Sequence, residues 1–222
     1  MNIHKVLVVG CGTMGGQIAI QTALCGYQVY AYDLKQEMTQ KAAAYAESWF
    51  AGRVKKGRLT QEESAAAQDR LVFTNDLPLA AEEADLVVEA VPDVAEIKRA
   101  VLAHVDQYVP ERAFYSSNSS YLVSSAFAGA VRHPERVANL HFFNPALVME
   151  LVEVVRGPHT SQETVDILME FARSIRKTPI LVKKEIYGFV VNRIFSAITK
   201  EACYLYDQGV AGLEDIDLAV KK

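Results

Sequence analysis

Short apolar runs alternate with longer helix-like stretches through the first half of the chain. Residues 4–9 form an apolar run closed by glycine, which is typical of a strand buried on both faces of a parallel sheet. Residues 17–25 place apolar side chains on one side of a helix that ends at Gly26. Residues 28–32 are rich in aromatic and β-branched side chains and predict a second strand.

The same alternation continues further along the chain. An alanine-rich stretch from Met38 to about Lys56 predicts a long helix, and Thr60-Gln-Glu-Glu63 resembles a capping box that opens a short one. Three more strands are predicted at residues 71–73, 86–88 and 113–115. Strands separated by helices imply right-handed βαβ crossovers and a sheet covered on both faces.

The pattern changes after Pro145. Strands are predicted at residues 149–155 and 180–183, with a helix at about 161–174 between them, and the chain is helical from Gly188 onward. We therefore expect a domain boundary near residues 184–187. The residues after it are too few for an independent core, so they either pack on the first domain or require chain absent from this sequence.

Composition excludes several classes of protein. Half of the 222 residues are hydrophobic, which favours a packed core, and 23 basic against 27 acidic residues give a net charge of −4, so no nucleic-acid partner is expected. The sequence lacks an apolar run of ~18 residues and a secretory signal, so we expect no membrane association and a cytoplasmic location. The three cysteines are scattered and the five histidines lack helical i, i+4 pairs, so we expect no metal site.

The most informative motif is Gly10-Cys-Gly12-Thr13-Met14-Gly15, a G-x-G-x-x-G pattern between a predicted strand and a predicted helix. The first glycine permits a tight turn, the second lets the backbone approach a pyrophosphate, and the third lets the helix lie close to the strand. The pyrophosphate would lie on the free N–H groups of the helix N-terminus. The motif therefore predicts a dinucleotide site.

Asp33 ends the second predicted strand, 18 residues after Gly15. At that point its carboxylate can accept hydrogen bonds from both hydroxyls of an adenosine ribose and repel a 2′-phosphate. The alternative is an ordinary turn or N-cap residue. The register favours the first interpretation, and NAD rather than NADP is the expected cofactor.

Two further stretches carry polar groups suited to chemistry. Ser116-Ser-Asn-Ser-Ser120 follows a predicted strand, where polar side chains face a cofactor, although a serine-rich turn is an equal interpretation. His141 lies in an apolar context, and Glu153 is flanked by valines, where a carboxylate is usually paired. If the two are neighbours, Glu153 holds one imidazole nitrogen and leaves the other as a general base. The alternative is a structural histidine.

Five motifs together resemble the L-3-hydroxyacyl-CoA dehydrogenase family, in particular its bacterial 3-hydroxybutyryl-CoA members, over essentially the whole chain. They are Val-Gly-Cys-Gly-Thr-Met-Gly-Gly-Gln-Ile-Ala at 9–19, Asp-Leu-Val-Val-Glu-Ala at 85–90, Ser-Asn-Ser-Ser at 117–120, His-Phe-Phe-Asn-Pro at 141–145 and Gly-Phe-Val-Val-Asn-Arg at 188–193. The resemblance implies an α/β fold: a Rossmann-like NAD-binding domain at 1–184, then the beginning of an all-α domain at 185–222. That helical domain is expected to be incomplete, with a homodimer forming where it is complete.

The resemblance also implies the reaction and the residues that perform it. The reaction is the reversible, NAD-dependent oxidation of an L-3-hydroxyacyl-CoA to the 3-ketoacyl-CoA. His141 matches the catalytic histidine and Glu153 the acid paired with it. Ser120 matches a serine that contacts substrate and nicotinamide, and Asn192 an asparagine that binds the substrate.

Other matched positions concern the cofactor and the CoA moiety. Asn144 matches a residue near the nicotinamide ribose, and Val91 to Asp93, with Lys98, match a segment along the cofactor. Lys56 falls where the family meets CoA. The sequence departs from the family pattern at several positions: Asp93 replaces glutamate, Ser119 replaces threonine, Tyr121 replaces serine and Tyr187 replaces proline.

Two alternatives to the acyl-CoA enzyme remain open. Related folds with the same serine, histidine and asparagine oxidise free hydroxy acids such as gulonate or carnitine. A non-catalytic NAD-binding module is the second alternative, which the short helical region favours and the four matched catalytic positions disfavour.

Overall fold

The computed structural model describes residues 3–222, and Met1 and Asn2 of the predicted first domain lie outside the described residues. Within 3–222, eight strands form one sheet in the order β3-β2-β1-β4-β5-β6-β7-β8. The strands are β1 (Lys5–Val9), β2 (Gln28–Tyr32), β3 (Leu71–Thr74), β4 (Leu86–Glu89), β5 (Phe114–Ser117), β6 (Val137–Phe142), β7 (Leu151–Val155) and β8 (Thr178–Val182).

Helices cover both faces of the sheet and connect most of its strands, although among the described residues no α-helix lies between β5 and β6 or between β6 and β7. They are α1 (Thr13–Leu24), α2 (Gln36–Lys55), α3 (Gln61–Asp69), α4 (Leu77–Ala81), α5 (Ala95–Val105), α6 (Gln162–Ser174), α7 (Val191–Asp207) and α8 (Leu213–Lys221). Successive side chains of β1 point to opposite faces, so Val6 packs with residues of α1 and α6, while Leu7 packs with residues of α4 and α5. The predicted three-layer, Rossmann-like α/β architecture is confirmed.

Most predicted elements are present, with shifted boundaries. The capping box is formed as expected: the Thr60 hydroxyl accepts from the Glu63 N–H, and the Glu63 carboxylate accepts from the Thr60 N–H. Helix α1 begins at Thr13 instead of residue 17, since the glycine-rich residues already form its first turn. Strand β5 extends through Ser116 and Ser117, so the first two serines of the polar cluster are buried in the sheet.

One strand was missed, and the sheet is mixed. Strand β6 was not predicted, although it contains His141. It pairs in parallel with β5 and antiparallel with β7, and β7 pairs in parallel with β8. The sheet therefore departs from successive parallel connections at the antiparallel pair of β6 and β7.

The two C-terminal helices differ from the rest of the fold in burial. No residue of α7 or α8 is buried, and apolar side chains such as Ile194 and Phe195 are more than half exposed. Among residues 3–222, no helix combines the length and apolar character that crossing a bilayer requires.

Candidate active site

A groove of about 930 Å³ opens at the carboxyl ends of the central strands. It lies where the strand order reverses between β1 and β4, the position at which open α/β sheets bind ligands. Ten of the predicted site residues line it: Gly10, Gly12, Thr13, Met14, Asp33, Val91, Pro92, Asp93, Lys98 and Ser120.

The three glycines of the turn have three different local requirements. Gly10 has φ +101°, and a Cβ there would lie 2.8 Å from the Ala90 carbonyl oxygen. A Cβ on Gly15 would lie 1.8 Å from the Gly10 carbonyl oxygen, so helix and strand can approach only without it. A Cβ on Gly12 would have no atom of the described residues within 4 Å. Its space opens on the groove, which fits close approach of a pyrophosphate.

The Asp33 carboxylate is oriented at the groove by two backbone N–H groups. Its Oδ2 accepts from Cys11 N–H at 2.8 Å, and its Oδ1 accepts from Lys35 N–H at 2.9 Å. Burial first, and then the nearby Asp33 charge, raise the pKa of the Cys11 thiol to about 12. A fixed acid after β2 and a free helix N-terminus after β1 together fit the adenosine ribose and the pyrophosphate of NAD.

His141 and Glu153 face each other across the antiparallel pair β6 and β7. His141 Nδ1 lies 2.8 Å from Glu153 Oε2, and the two residues are 3% and 0% exposed. The strand pairing that was missed in the sequence is what brings these two residues together. Because an ionised carboxylate only accepts hydrogen bonds, it selects the tautomer with a proton on Nδ1 and leaves Nε2 as an acceptor.

The second oxygen of Glu153 caps helix α7. Its Oε1 accepts from the N–H groups of Val190 and Val191, each at 3.0 Å. Burial favours the neutral acid, but the hydrogen bonds from His141, Val191 and Val190 outweigh it and lower the pKa of Glu153. The carboxylate is therefore ionised at neutral pH and faces the positive end of a helix dipole.

His141 does not itself line the groove, but its imidazole is packed between aromatic rings and its neighbour in the chain is bonded to a residue that does line it. Phe143 and Phe189 pack against it, with ring centroids 4.6 and 5.5 Å from its own. The Asn118 side-chain oxygen accepts from the N–H of Phe142, the residue after His141, at 2.9 Å, and Asn118 itself lines the groove. The dyad is thereby connected to the groove wall.

Asn192 lies next to Ser120, which lines the groove. Its Nδ2 donates to the Ser120 carbonyl oxygen at 3.2 Å, joining helix α7 to the loop after β5. The structure therefore brings together the groove, the His141–Glu153 pair and Asn192. The catalytic roles assigned to these residues remain predictions.

Three predicted cofactor- or substrate-binding residues are not free in the groove: two are exposed outside its lining, and one already has a charged partner. Asn144 is exposed, precedes the cis Asn144–Pro145 bond and is outside the groove lining. Lys56 is exposed at the C-terminal end of α2, also outside the lining. Lys98 lines the groove, but its ammonium donates to the buried Glu89 carboxylate at 2.8 and 2.9 Å, so its charge is already paired.

Glu89, Asn118 and Phe189 were not singled out as site residues. Glu89 could have been found from the sequence, since it follows Leu86, Val87 and Val88, and a carboxylate in such a run is usually paired. Within residues 3–222, no group of three or more His, Cys, Asp or Glu side chains is placed to bind a metal ion.

Two family models match the chain. The 3-hydroxyacyl-CoA dehydrogenase NAD binding domain matches residues 5–186, and the C-terminal domain of the same family matches residues 188–222. The domain boundary between residues 184 and 185 stays a prediction.

Individual relatives agree with the family match. A 3-hydroxyadipyl-CoA dehydrogenase of Escherichia coli is 38% identical over 221 residues, covering 100% of this chain and 46% of that protein. An L-carnitine dehydrogenase of Bacillus cereus is 35% identical over 99% of this chain and 66% of that protein. The crystal structure of 3-hydroxybutyryl-CoA dehydrogenase from Escherichia coli superposes with a TM-score of 0.91 at 38% identity, covering 95% of this chain and 44% of that one. The chain thus spans about half to two thirds of the length of these relatives.

Proposed function

Because this chain belongs to the 3-hydroxyacyl-CoA dehydrogenase family and carries its NAD binding domain, we propose that it interconverts L-3-hydroxyacyl-CoA and 3-ketoacyl-CoA. The observation that carries the proposal is the buried His141–Glu153 pair, 2.8 Å apart, connected through Asn118 to the wall of the groove. Bound NAD supplies the acceptor for the hydride of the hydroxyl-bearing carbon.

The chain's own contribution is the movement of one proton. With Nδ1–H donated to Glu153, the unprotonated Nε2 of His141 removes the hydroxyl proton as C3 is oxidised. In the reverse direction, protonated His141 donates to the ketone oxygen. The ionised Glu153 stabilises the imidazolium formed in between, because an opposite charge lies in hydrogen-bond contact with it.

The remaining predicted residues have positioning roles in this proposal. Ser120 and Asn192 hold the substrate oxygen near the imidazole; what supports this is that the two residues are adjacent, with Asn192 Nδ2 donating to the Ser120 backbone carbonyl oxygen at 3.2 Å. Asn144, close to His141 in the chain, contacts the nicotinamide ribose. Lys56 contacts a CoA phosphate from the exposed end of α2.

The direct test is NADH consumption with acetoacetyl-CoA, repeated with 3-ketoacyl-CoA substrates of increasing length. His141→Gln is expected to retain NADH binding and to lower turnover by about two orders of magnitude or more. The matched control is His133→Gln, since His133 also pairs with a glutamate, Glu135, at 3.0 Å, but this pair is partly exposed to solvent whereas His141 and Glu153 are buried. Near-normal turnover in His141→Gln would remove this residue from its assigned role.

A free hydroxy acid is the second candidate substrate, favoured by the similarity to an L-carnitine dehydrogenase. Turnover of carnitine or gulonate without turnover of acetoacetyl-CoA would reverse the order of the two proposals. NADH binding without turnover of either class would instead identify a non-catalytic NAD-binding module.

The cellular location and the oligomeric state of the protein are part of the same proposal. A cytoplasmic enzyme agrees with the lack of a membrane-spanning helix among residues 3–222. A homodimer is expected where the helical domain is complete, and the exposed apolar side chains of α7 and α8 support burial of these helices in a larger unit. Light scattering of the purified protein tests the second statement.

A further inference from the structure

A buried ion pair lies under the cofactor groove at the carboxyl end of β4. Glu89 is 0% and Lys98 1% exposed, and the lysine Nζ donates to both glutamate oxygens at 2.8 and 2.9 Å. Such pairs seldom stabilise a fold more than apolar residues of the same size would, because removing two charges from water is costly. Their position and remaining hydrogen bonds therefore indicate what they contribute.

The pair binds one peptide segment of the groove wall from two directions. Glu89 Oε1 accepts from the Val91 N–H at 2.7 Å, while Lys98 Nζ donates to the Val91 carbonyl oxygen at 3.3 Å. Both polar groups of Val91, a residue that lines the groove, are thus bound to the same ion pair.

The same pair also holds the second polar loop of the groove. Ser117 Oγ donates to Glu89 Oε2 at 2.5 Å and accepts from the Ser119 N–H at 3.2 Å. Ser119 Oγ in turn bonds the Asp93 carboxylate, whose Oδ1 lies 3.5 Å from Lys98 Nζ. A closed network therefore joins the loop after β4 to the loop that carries Ser120.

We propose that Glu89 is a positioning residue for NAD binding: through Lys98 and Ser117 it fixes the two loops that flank the cofactor groove. It acts through these neighbours and does not itself line the groove. Loosening the network should weaken NADH binding more than it weakens the fold.

The first test uses two neighbouring buried serines of β5 in the full chain. Ser117→Ala removes the link between Glu89 and Ser119, whereas the control Ser116→Ala removes a hydroxyl that donates to the Val87 carbonyl oxygen at 3.3 Å. Calorimetric titration with NADH is expected to show a Kd raised at least about threefold in Ser117→Ala and unchanged in Ser116→Ala. Faster amide exchange at Ser119 in the first variant alone is the accompanying readout.

The second test removes the charges together. Glu89→Leu/Lys98→Met is expected to keep its melting temperature within about 3 °C, yet to raise the Kd for NADH about tenfold or more. Asp85→Asn is the control, because Asp85 is a buried acid at the opposite end of β4, where it accepts from the N–H of Lys5 at 3.1 Å. It should lose stability and keep NADH affinity.

Two results would overturn the proposal. One is equal NADH affinity in Ser117→Ala and Ser116→Ala. The other is a folded double variant that binds NADH within twofold of the parent chain. Both tests measure cofactor binding directly, so failure to turn over an acyl-CoA would leave their outcome unaffected.

Discussion

Gly12→Ala should separate the stability of this fold from its capacity to bind NADH. Gly12 has φ −68° and ψ −172°, a conformation that any residue adopts. An added Cβ meets no atom of the described residues within 4 Å and projects into space that opens on the groove. The protein without cofactor therefore has room for the methyl group. In the complex, the methyl group would occupy space that a pyrophosphate needs in order to reach the N–H groups of the turn.

The expected magnitudes follow from these two environments. Replacing glycine by alanine restricts the unfolded chain and stabilises by about 0.4–1 kcal/mol. Alanine is also a poorer N-cap than glycine, at a cost of about 0.5–1 kcal/mol, so the two effects nearly cancel. Losing one or two hydrogen bonds to the charged phosphates, at about 1.5–3 kcal/mol each, weakens NADH binding by about 100-fold.

Differential scanning fluorimetry and calorimetric titration of the same preparations measure both quantities. Gly15→Ala is the contrasting variant, since its Cβ would lie 1.8 Å from a backbone oxygen that no side-chain rotation can relieve. That variant should lose about 3 kcal/mol or more of stability and bind no NADH as a consequence. Normal NADH affinity in Gly12→Ala would refute the assignment of this turn to the pyrophosphate.

Three further predictions concern ionisable groups. Because hydrogen bonds hold the pKa of Glu153 below its ordinary 4.5, the carboxylate stabilises the folded chain above pH 4.5 and loses this effect as the pH falls through the folded-state pKa. Urea unfolding of wild type and Glu153→Gln should thus differ by about 1–3 kcal/mol near neutral pH and converge in acid. Asp33→Ser should weaken NADH binding and lower the ratio of kcat/KM with NADH to kcat/KM with NADPH. A preference of the wild type for NADPH would contradict the assignment of Asp33 to the adenosine ribose. Iodoacetamide at pH 8, followed by mass spectrometry, should label exposed Cys203 well before buried Cys11, whose pKa is about 12; equal rates would be inconsistent with this burial.

The local and periodic features of this fold could be read from the sequence. Strand β2 and the capping box at Thr60 depend on side chains within a few residues of each other, so the pattern alone predicts them. The glycine-rich turn is equally local, because the steric reasons for its three glycines all lie within one strand–helix connection.

Long-range pairing could not be read in the same way. Strand β6 itself could have been predicted, because apolar and polar residues alternate from Ala138 to Phe142. Its antiparallel register with β7, which places His141 opposite Glu153, depends on contacts across the sheet. The hydrogen-bonded pair of His141 and Glu153 was therefore predicted from the family resemblance. The sequence pattern alone predicted it only if the two segments were neighbours in the fold.

Glu153 makes the position of α7 and the state of His141 interdependent. One carboxylate oxygen holds the imidazole at 2.8 Å, and the other holds the N–H groups of Val190 and Val191. If the start of α7 moved away, a carboxylate with no exposed surface would lose two of its three donors, which is costly in a buried site. The first turn of α7 must therefore move with the sheet, and any opening of the groove has to be taken up elsewhere in the chain.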